Sequence, residues 1–193
     1  MSALSNFKKK LRPGGVYRRA ELRQWSNAVD RHLGELLSDG TLVKVSRGLY
    51  MRPKVTRFGK VNPDTRKLVE SFLKDDRFLL VSPNLYNGLG VGTTQLYNET
   101  VVYNKKRHGK FMLGSTKFYF RHDRDFPKTL TKEFLLVDLV NNLKTLAEEQ
   151  SVVLEKAQEA AKEMHSSFFR KTLKSYGKNK TKKLLGEAIG VAV

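Results

Sequence analysis

The segment that most constrains the fold is residues 27–53, which read NAVDRHLGELLSDGTLVKVSRGLYMRP. Its first apolar residues recur at the spacing of one face of a helix: Val29, Leu33, Leu36 and Leu37. Ser26 or Asn27 is a suitable N-cap, and the glycine after Asp39 is a typical helix stop. Two short β-like runs follow, joined by Ser-Arg-Gly and limited by a proline, which predicts a hairpin.

Upstream of this segment, RRAELRQWS predicts another short helix. The order helix, turn, helix, hairpin is typical of a winged helix-turn-helix. Farther on, PDTRKLVESFLKDDRF predicts a helix. FLLVS, ETVVYN and STKFYFRH are rich in the residues that favour strands, and KFMLG is one more candidate strand. From Thr131 onward the pattern is helical.

The fold class that we expect is therefore α+β, with an N-terminal winged helix-turn-helix followed by a mixed α/β domain with C-terminal helices. We place the winged helix-turn-helix at residues 1–55 and the second domain at 56–193. The stretch RPKVTRFGKVNP, residues 52–63, is basic, carries glycine and proline, and is the expected linker.

Positive charge is the strongest compositional signal. The chain has 37 Lys and Arg against 19 Asp and Glu, and residues 1–60 alone hold 14 against 4. This excess indicates a polyanionic partner, above all nucleic acid. There is no cysteine, no apolar run near the ~20 residues of a membrane span and no apolar signal segment. We expect a cytoplasmic protein that uses neither membrane nor disulfide.

If the first domain is a winged helix, its second helix, over residues 27–38, enters the major groove. With the apolar face inward, Asn27, Arg31 and His32 face outward, and Arg31 suits guanine as Asn27 suits adenine. The other candidates suit phosphates or close approach to the duplex. The full DNA-binding set is Arg18, Arg19, Arg23, Ser26, Asn27, Arg31, His32, Lys44, Ser46, Arg47 and Arg52. The alternative for Arg31 is an ordinary surface pair with Glu35.

The segment LLSDGTLVKVSRGLYMRP resembles the winged-helix segment of the AbiEi-like antitoxins of type IV toxin–antitoxin systems. The matching residues are Arg47, Gly48, Tyr50 and Pro53. NLYNGLGVGTTQ, FLLVDLVNNL and TKKLLGEAI are more loosely similar to later parts of that family. The resemblance implies a bacterial repressor that binds its own operon at inverted repeats. It also implies a second domain that counters a nucleotidyltransferase-like toxin, typically without a tight complex.

Enzymatic motifs are weak. RHDRD, residues 121–125, sets His122 beside two aspartates, and pairing with the segment of His108 would favour a metal-dependent nuclease, but the spacing matches no metal signature. GLGVGTTQ, residues 88–95, lacks the Lys-Ser/Thr ending of a phosphate-binding loop. No catalytic constellation emerges, so we expect a protein without metal or other cofactor and without enzymatic activity.

The basic stretch FFRKTLKSYGKNKTKK, residues 168–183, admits two interpretations. It is a second nucleic-acid surface, for RNA, on which aromatic rings stack on bases. Alternatively it is a helix that buries Phe168, Phe169, Leu173 and Tyr176 and leaves its lysines in solvent. The first interpretation makes the chain an RNA-binding module.

Overall fold

The computed structural model describes residues 2–57, 59–164 and 166–191. It confirms the α+β class, with helices and small sheets in the N-terminal part and helices at the C-terminal end. The chain divides into two compact units. The first contains the residues up to Asp76 together with Phe111–Lys117, and the second contains Arg77–Lys110 and the residues from Phe118 onward. No helix in the described ranges is both long and apolar enough to span a bilayer.

The first unit begins with the order of a winged helix. Helix α1 (Ala3–Lys10) and strand β1 (Val16–Arg18) precede two helices, α2 (Arg19–Arg23) and α3 (Val29–Ser38). A hairpin of β2 (Val43–Ser46) and β3 (Leu49–Met51) follows. The three strands form an antiparallel sheet of order β1-β3-β2. The predicted order of helix, helix and hairpin is confirmed, whereas α1 and β1 are additions to it.

One apolar cluster holds these helices together. Its buried members lie in the three helices, just after α1, just before β2 and in β3: Phe7, Leu11, Leu22, Val29, Leu33, Leu36, Leu42 and Tyr50. The predicted inner face of α3 is thus the packed face, and Gly40 ends the helix with a φ of 71°. The predicted N-cap is wrong by one or two positions, because Ala28 is the N-cap. Ser26 contributes from farther out, since its hydroxyl accepts the Ala28 N–H at 3.1 Å.

The segment predicted as a linker is folded. Strands β4 (Lys54–Thr56) and β5 (Gly59–Val61) pair antiparallel, and helix α4 (Thr65–Leu73) follows, with Asp64 accepting the Lys67 N–H at its start. The predicted boundary at residue 55 falls inside β4, while the first compact unit continues to Asp76. The backbone hydrogen bonds of the β4–β5 pair and the apolar face of α4 explain why this stretch is ordered.

A four-stranded sheet has the order β6-β7-β9-β8. Its strands are β6 (Phe78–Val81), β7 (Glu99–Asn104), β8 (Gly109–Leu113) and β9 (Thr116–His122), and a 3-10 helix occupies Pro83–Leu89. Residues 111–117, which include the end of β8, the turn after it and the start of β9, belong to the first unit.

Four helices complete the second unit: α5 (Lys132–Asn142), α6 (Gln150–Glu163), α7 (Ser167–Tyr176) and α8 (Asn179–Ala188). Every residue of α5 from Phe134 to Val140 is buried, so this helix is enclosed on all sides. Its apolar side chains form one cluster with side chains from β6, β7 and the other three helices.

Candidate nucleic-acid interface

A polar cleft of about 480 Å³ lies where α2 approaches the N-terminal end of α3. Five of its lining side chains are charged or carry hydrogen-bonding groups and are exposed to solvent: Arg19, Arg23, Asn27, Asp30 and Arg31. The first turn of a helix leaves backbone N–H groups unpaired and carries partial positive charge. The cleft therefore combines arginines, an amide and a helix N-terminus, which favours anionic and hydrogen-bonding ligands.

Arg19 and Asp30 join the two helices across this cleft. The guanidinium Nε and Nη2 of Arg19 donate to the two carboxylate oxygens of Asp30 at 2.8 and 2.6 Å. These hydrogen bonds and the accompanying attraction raise the pKa of Arg19 and lower the pKa of Asp30. Arg19, which was predicted to contact a phosphate, is thus already paired with Asp30. The two hydrogen bonds of this pair orient α2 against α3.

Arg31 forms the surface pair with Glu35 and is exposed to solvent as well. Its Nε lies 3.7 Å from Glu35 Oε1, so the surface pair forms, but the arginine side chain is 71% exposed. A pair at this distance and exposure is worth little, because water and salt screen it. The guanidinium thus remains accessible on the outer face of α3. Asn27 and Arg23 are exposed beside the same cleft.

The β2–β3 hairpin carries the exposed cations of the wing. Arg47 lies in the turn and Lys44 lies on β2, paired across the strands with Tyr50; both cations are exposed. Gly48 adopts a φ of 68°, a conformation that a residue with a side chain rarely adopts, so the turn requires glycine here. Ser46 is half-buried at the end of β2.

Two of the predicted contacts are wrong, because the side chains are buried. His32 is 4% exposed and Ser26 is 8% exposed, and the Ser26 hydroxyl lies 2.8 Å from His32 Nδ1. The His32 ring also packs against Phe7, with ring centroids 5.8 Å apart. Assigning His32 to the outward face followed from spacing alone. The structure shows instead that α1, a helix the sequence pattern did not predict, covers this side of α3.

Arg18 and Arg52, which were predicted to contact phosphates, instead form hydrogen bonds within the chain. Arg18 donates to the carbonyl oxygens of Ser71 and Phe72 at the end of α4, at 2.5 and 2.8 Å. Arg52 donates to the carbonyl oxygen of Leu11, which follows α1, at 2.6 Å. Each arginine thus satisfies carbonyl groups at a helix C-terminus, where positive charge is favourable. These contacts hold the first unit together.

His108 and the glycine-rich loop have contacts within the chain. His108 packs against Tyr119, with ring centroids 5.6 Å apart, and across the described residues no group of three or more His, Asp or Glu side chains is placed to bind a metal. In the glycine-rich loop, the backbone N–H groups of Thr94 and Gln95 donate to Glu148 Oε1, each at 3.3 Å. This loop therefore binds a carboxylate of its own chain.

A polar network that sequence reasoning missed surrounds Asp138 in α5. This carboxylate is 2% exposed and accepts hydrogen bonds from Tyr86 at 2.7 Å, from Tyr103 and from Asn142 at 2.8 Å. Arg121 donates to Tyr103 and to Asn142. Burial raises the pKa of Asp138. A single acid within the apolar run FLLVDLV is the signal that indicates such a network.

No family model matches the sequence, and no curated protein is significantly similar to it. A solved structure resembles it. The crystal structure of the RV2827C protein from Mycobacterium tuberculosis aligns with a TM-score of 0.61 over 97% of this chain and 74% of that chain, at 12% sequence identity. This likeness concerns the fold alone.

Proposed function

We propose that the chain is a sequence-specific DNA-binding repressor that acts through its first unit. The observation that carries the proposal is the cleft at the start of α3, where Arg23, Asn27 and Arg31 are exposed beside a helix N-terminus. Lys44 and Arg47 add exposed positive charge on the wing of the same unit. The net charge of +18 supports a polyanionic partner.

In this mechanism α3 enters the major groove. Arg31 donates two hydrogen bonds to a guanine edge, and the Asn27 amide pairs with adenine. Arg23, Lys44 and Arg47 contact phosphates, which fix the register of the helix without reading sequence. The Arg19–Asp30 pair holds α2 against the start of α3, so the helix is oriented before DNA binds. Occupation of a promoter by this unit excludes the polymerase.

We further propose that the repressed operon encodes a toxin and that the chain is the antitoxin of a type IV system. Support comes from the resemblance of residues 13–53 to the AbiEi-like antitoxins and from the presence of a second folded unit with its own core. Two copies on an inverted repeat would account for autoregulation. The protein would act in the cytoplasm and counter a nucleotidyltransferase-like toxin.

The repressor proposal is tested by titrating the purified full chain against its own upstream duplex and a scrambled duplex of equal length, at two salt concentrations. We expect tighter binding to the upstream duplex at both concentrations, with a ratio that persists as the electrostatic contribution weakens. Equal affinity for both duplexes, lost together at the higher salt, would reduce the interaction to a general attraction for polyanions.

The antitoxin proposal has a separate test. Expression of the neighbouring gene alone should arrest growth, and coexpression of this chain from an unrelated promoter should restore it. The Arg47→Ala variant should restore growth equally well, because the proposed neutralisation does not use the DNA-binding wing. Failure of the wild-type chain to restore growth would remove the antitoxin assignment and leave the repressor proposal intact.

A further inference from the structure

Helix α7 of the second unit presents an aromatic ring to solvent beside a basic surface. The Phe168 side chain is 52% exposed, whereas Phe169 and Leu173 on the opposite face are fully buried. The sequence interpretation that buries all four apolar side chains of this helix is therefore wrong for Phe168. Exposed aromatic rings are a common element of binding surfaces.

Phe168 lines a small cleft of about 270 Å³ between α7, the start of α5 and the loop that precedes α5. The floor is aromatic: Phe134 and Tyr176 meet edge to face, with ring centroids 5.4 Å apart. Lys171, Thr129 and Ser175 are exposed residues that also line this cleft. Its lining thus combines aromatic residues, a lysine and hydroxyl-bearing residues.

The charge along α7 and the start of α8 is of one sign. Residues 166–183 contain seven Lys and Arg and no Asp or Glu. Arg170, Lys171 and Lys174 lie on exposed positions of α7 itself, and further lysines lie at the start of α8. A flexible anionic chain can follow such a surface while one of its planar groups enters the cleft.

We propose that this surface, defined by Phe168, Lys171, Thr129 and Ser175, binds single-stranded RNA. One base stacks on the Phe168 ring, and Lys171 contacts the adjacent phosphate. The Thr129 and Ser175 hydroxyls are suited to the ribose 2′-hydroxyl, the group by which a protein distinguishes RNA from DNA. A rigid duplex keeps its bases stacked and offers none to the cleft, so this site is distinct in ligand from the proposed operator-binding surface.

The test uses the full chain and a fluorescein-labelled dodecauridylate, rU12, followed by fluorescence anisotropy. We expect Phe168→Ala to weaken rU12 binding about 5- to 150-fold, the range of one lost base–aromatic stack. Phe168→Trp keeps an aromatic face and should retain binding. Val152→Ala, which shortens an exposed apolar side chain on α6, is the matched control and should bind rU12 as the wild type does.

Two further arms separate this site from alternatives. The deoxy probe dT12 should bind more weakly than rU12 to the wild type, and Phe168→Ala should leave affinity for the upstream duplex unchanged. The proposal is overturned if Phe168→Ala binds rU12 like the wild type, which would leave only charge attraction or a protein partner. Equal binding of dT12 and rU12 would overturn the assignment to RNA.

Discussion

The two units of this protein each contain ionised groups with a distinctive environment. The first unit pairs several of its charges at the surface, as in Arg19 with Asp30 and Lys8 with Asp39. The second unit encloses one carboxylate, Asp138, and surrounds it with tyrosines, an amide and Arg121. A surface charge that loses its partner is solvated by water, so the loss costs little free energy. A buried charge that loses its partner is left without solvation, and the loss is strongly destabilising. The contrast leaves the paired surface charges open to solvent and encloses Asp138 in a hydrogen-bonded network.

The sharpest way to break this comparison is to remove the buried carboxylate. Asp138→Ala leaves two tyrosine hydroxyls without their acceptor and removes the negative charge near Arg121, so we expect the second unit to lose about 3–5 kcal/mol of unfolding free energy. Asp138→Asn keeps one acceptor oxygen and should lose less. Urea denaturation followed by tyrosine fluorescence measures both. A loss below about 1 kcal/mol for Asp138→Ala would contradict the network's structural role.

The same carboxylate gives the second unit a characteristic dependence on pH. Because the pKa of Asp138 is higher in the folded unit than its usual value of 3.8, the folded state holds this proton more tightly. The Asp138 contribution to stability is therefore greatest below pH 3.8 and is lost as the pH rises through the raised pKa. Asp138→Asn should remove this contribution. Melting of both proteins across the acid range compares the two slopes.

The next prediction compares two arginines of the first unit. Arg52→Ala removes a charged hydrogen bond to the Leu11 carbonyl and should cost about 1–3 kcal/mol of unfolding free energy. Arg47→Ala, on the exposed turn of the wing, should change it by less than about 0.5 kcal/mol. Urea unfolding of the two variants gives both values. If Arg47→Ala is as destabilising as Arg52→Ala, the division between structural and exposed arginines fails.

Arg31→Ala tests the base-reading role of α3. We expect a loss of about 1–3 kcal/mol of binding free energy at particular base pairs of the operator. Arg47→Ala should instead weaken binding to all sequences and lower the slope of log K against log salt by about 0.9. Both are measured on a panel of operators with single base-pair changes. An unchanged ranking of that panel by Arg31→Ala would contradict the assignment.

The smallest effect that we predict concerns Asp39. Hydrogen bonds from Thr41 and from the Lys8 ammonium group lower the pKa of Asp39 to about 2. The stability that this pair provides is present above pH 3.8 and is lost as the pH falls toward 2. Because both side chains are nearly half exposed, we expect less than about 1 kcal/mol. Asp39→Asn should flatten this part of the pH profile, opposite in sign to the Asp138 contribution.

The sequence predicts the elements whose signal is local. The apolar spacing of α3, the Asp-Gly stop and the hairpin glycine lie within residues 27–53, and the structure contains all of them. Helix α1 also has a periodic signal in Leu4, Phe7 and Leu11, but the lysine run of residues 8–10 obscures it. Strand β1 has only three residues, too few to show a pattern.

The partners of individual side chains were beyond local reasoning. Arg18 meets the Ser71 carbonyl and Tyr86 meets Asp138, pairs that are 53 and 52 residues apart in the chain. From composition alone, every arginine is a candidate phosphate contact. In the folded chain, however, Arg18 and Arg52 donate to carbonyl oxygens at helix C-termini. His32 was misassigned for the same reason, because the helix that covers it lies outside the segment that predicted the fold.

The most direct test of the central claim is a hydroxyl-radical footprint of the full chain on its upstream DNA, compared with Arg31→Ala at equal occupancy. We predict that the wild type protects a bounded segment. If two copies bind, the segment should contain two protected half-sites about 10–10.5 base pairs apart, or a multiple of that spacing. Arg31→Ala should lose the boundaries of this segment. Protection spread evenly along the DNA by the wild type would contradict sequence-specific binding by the first unit.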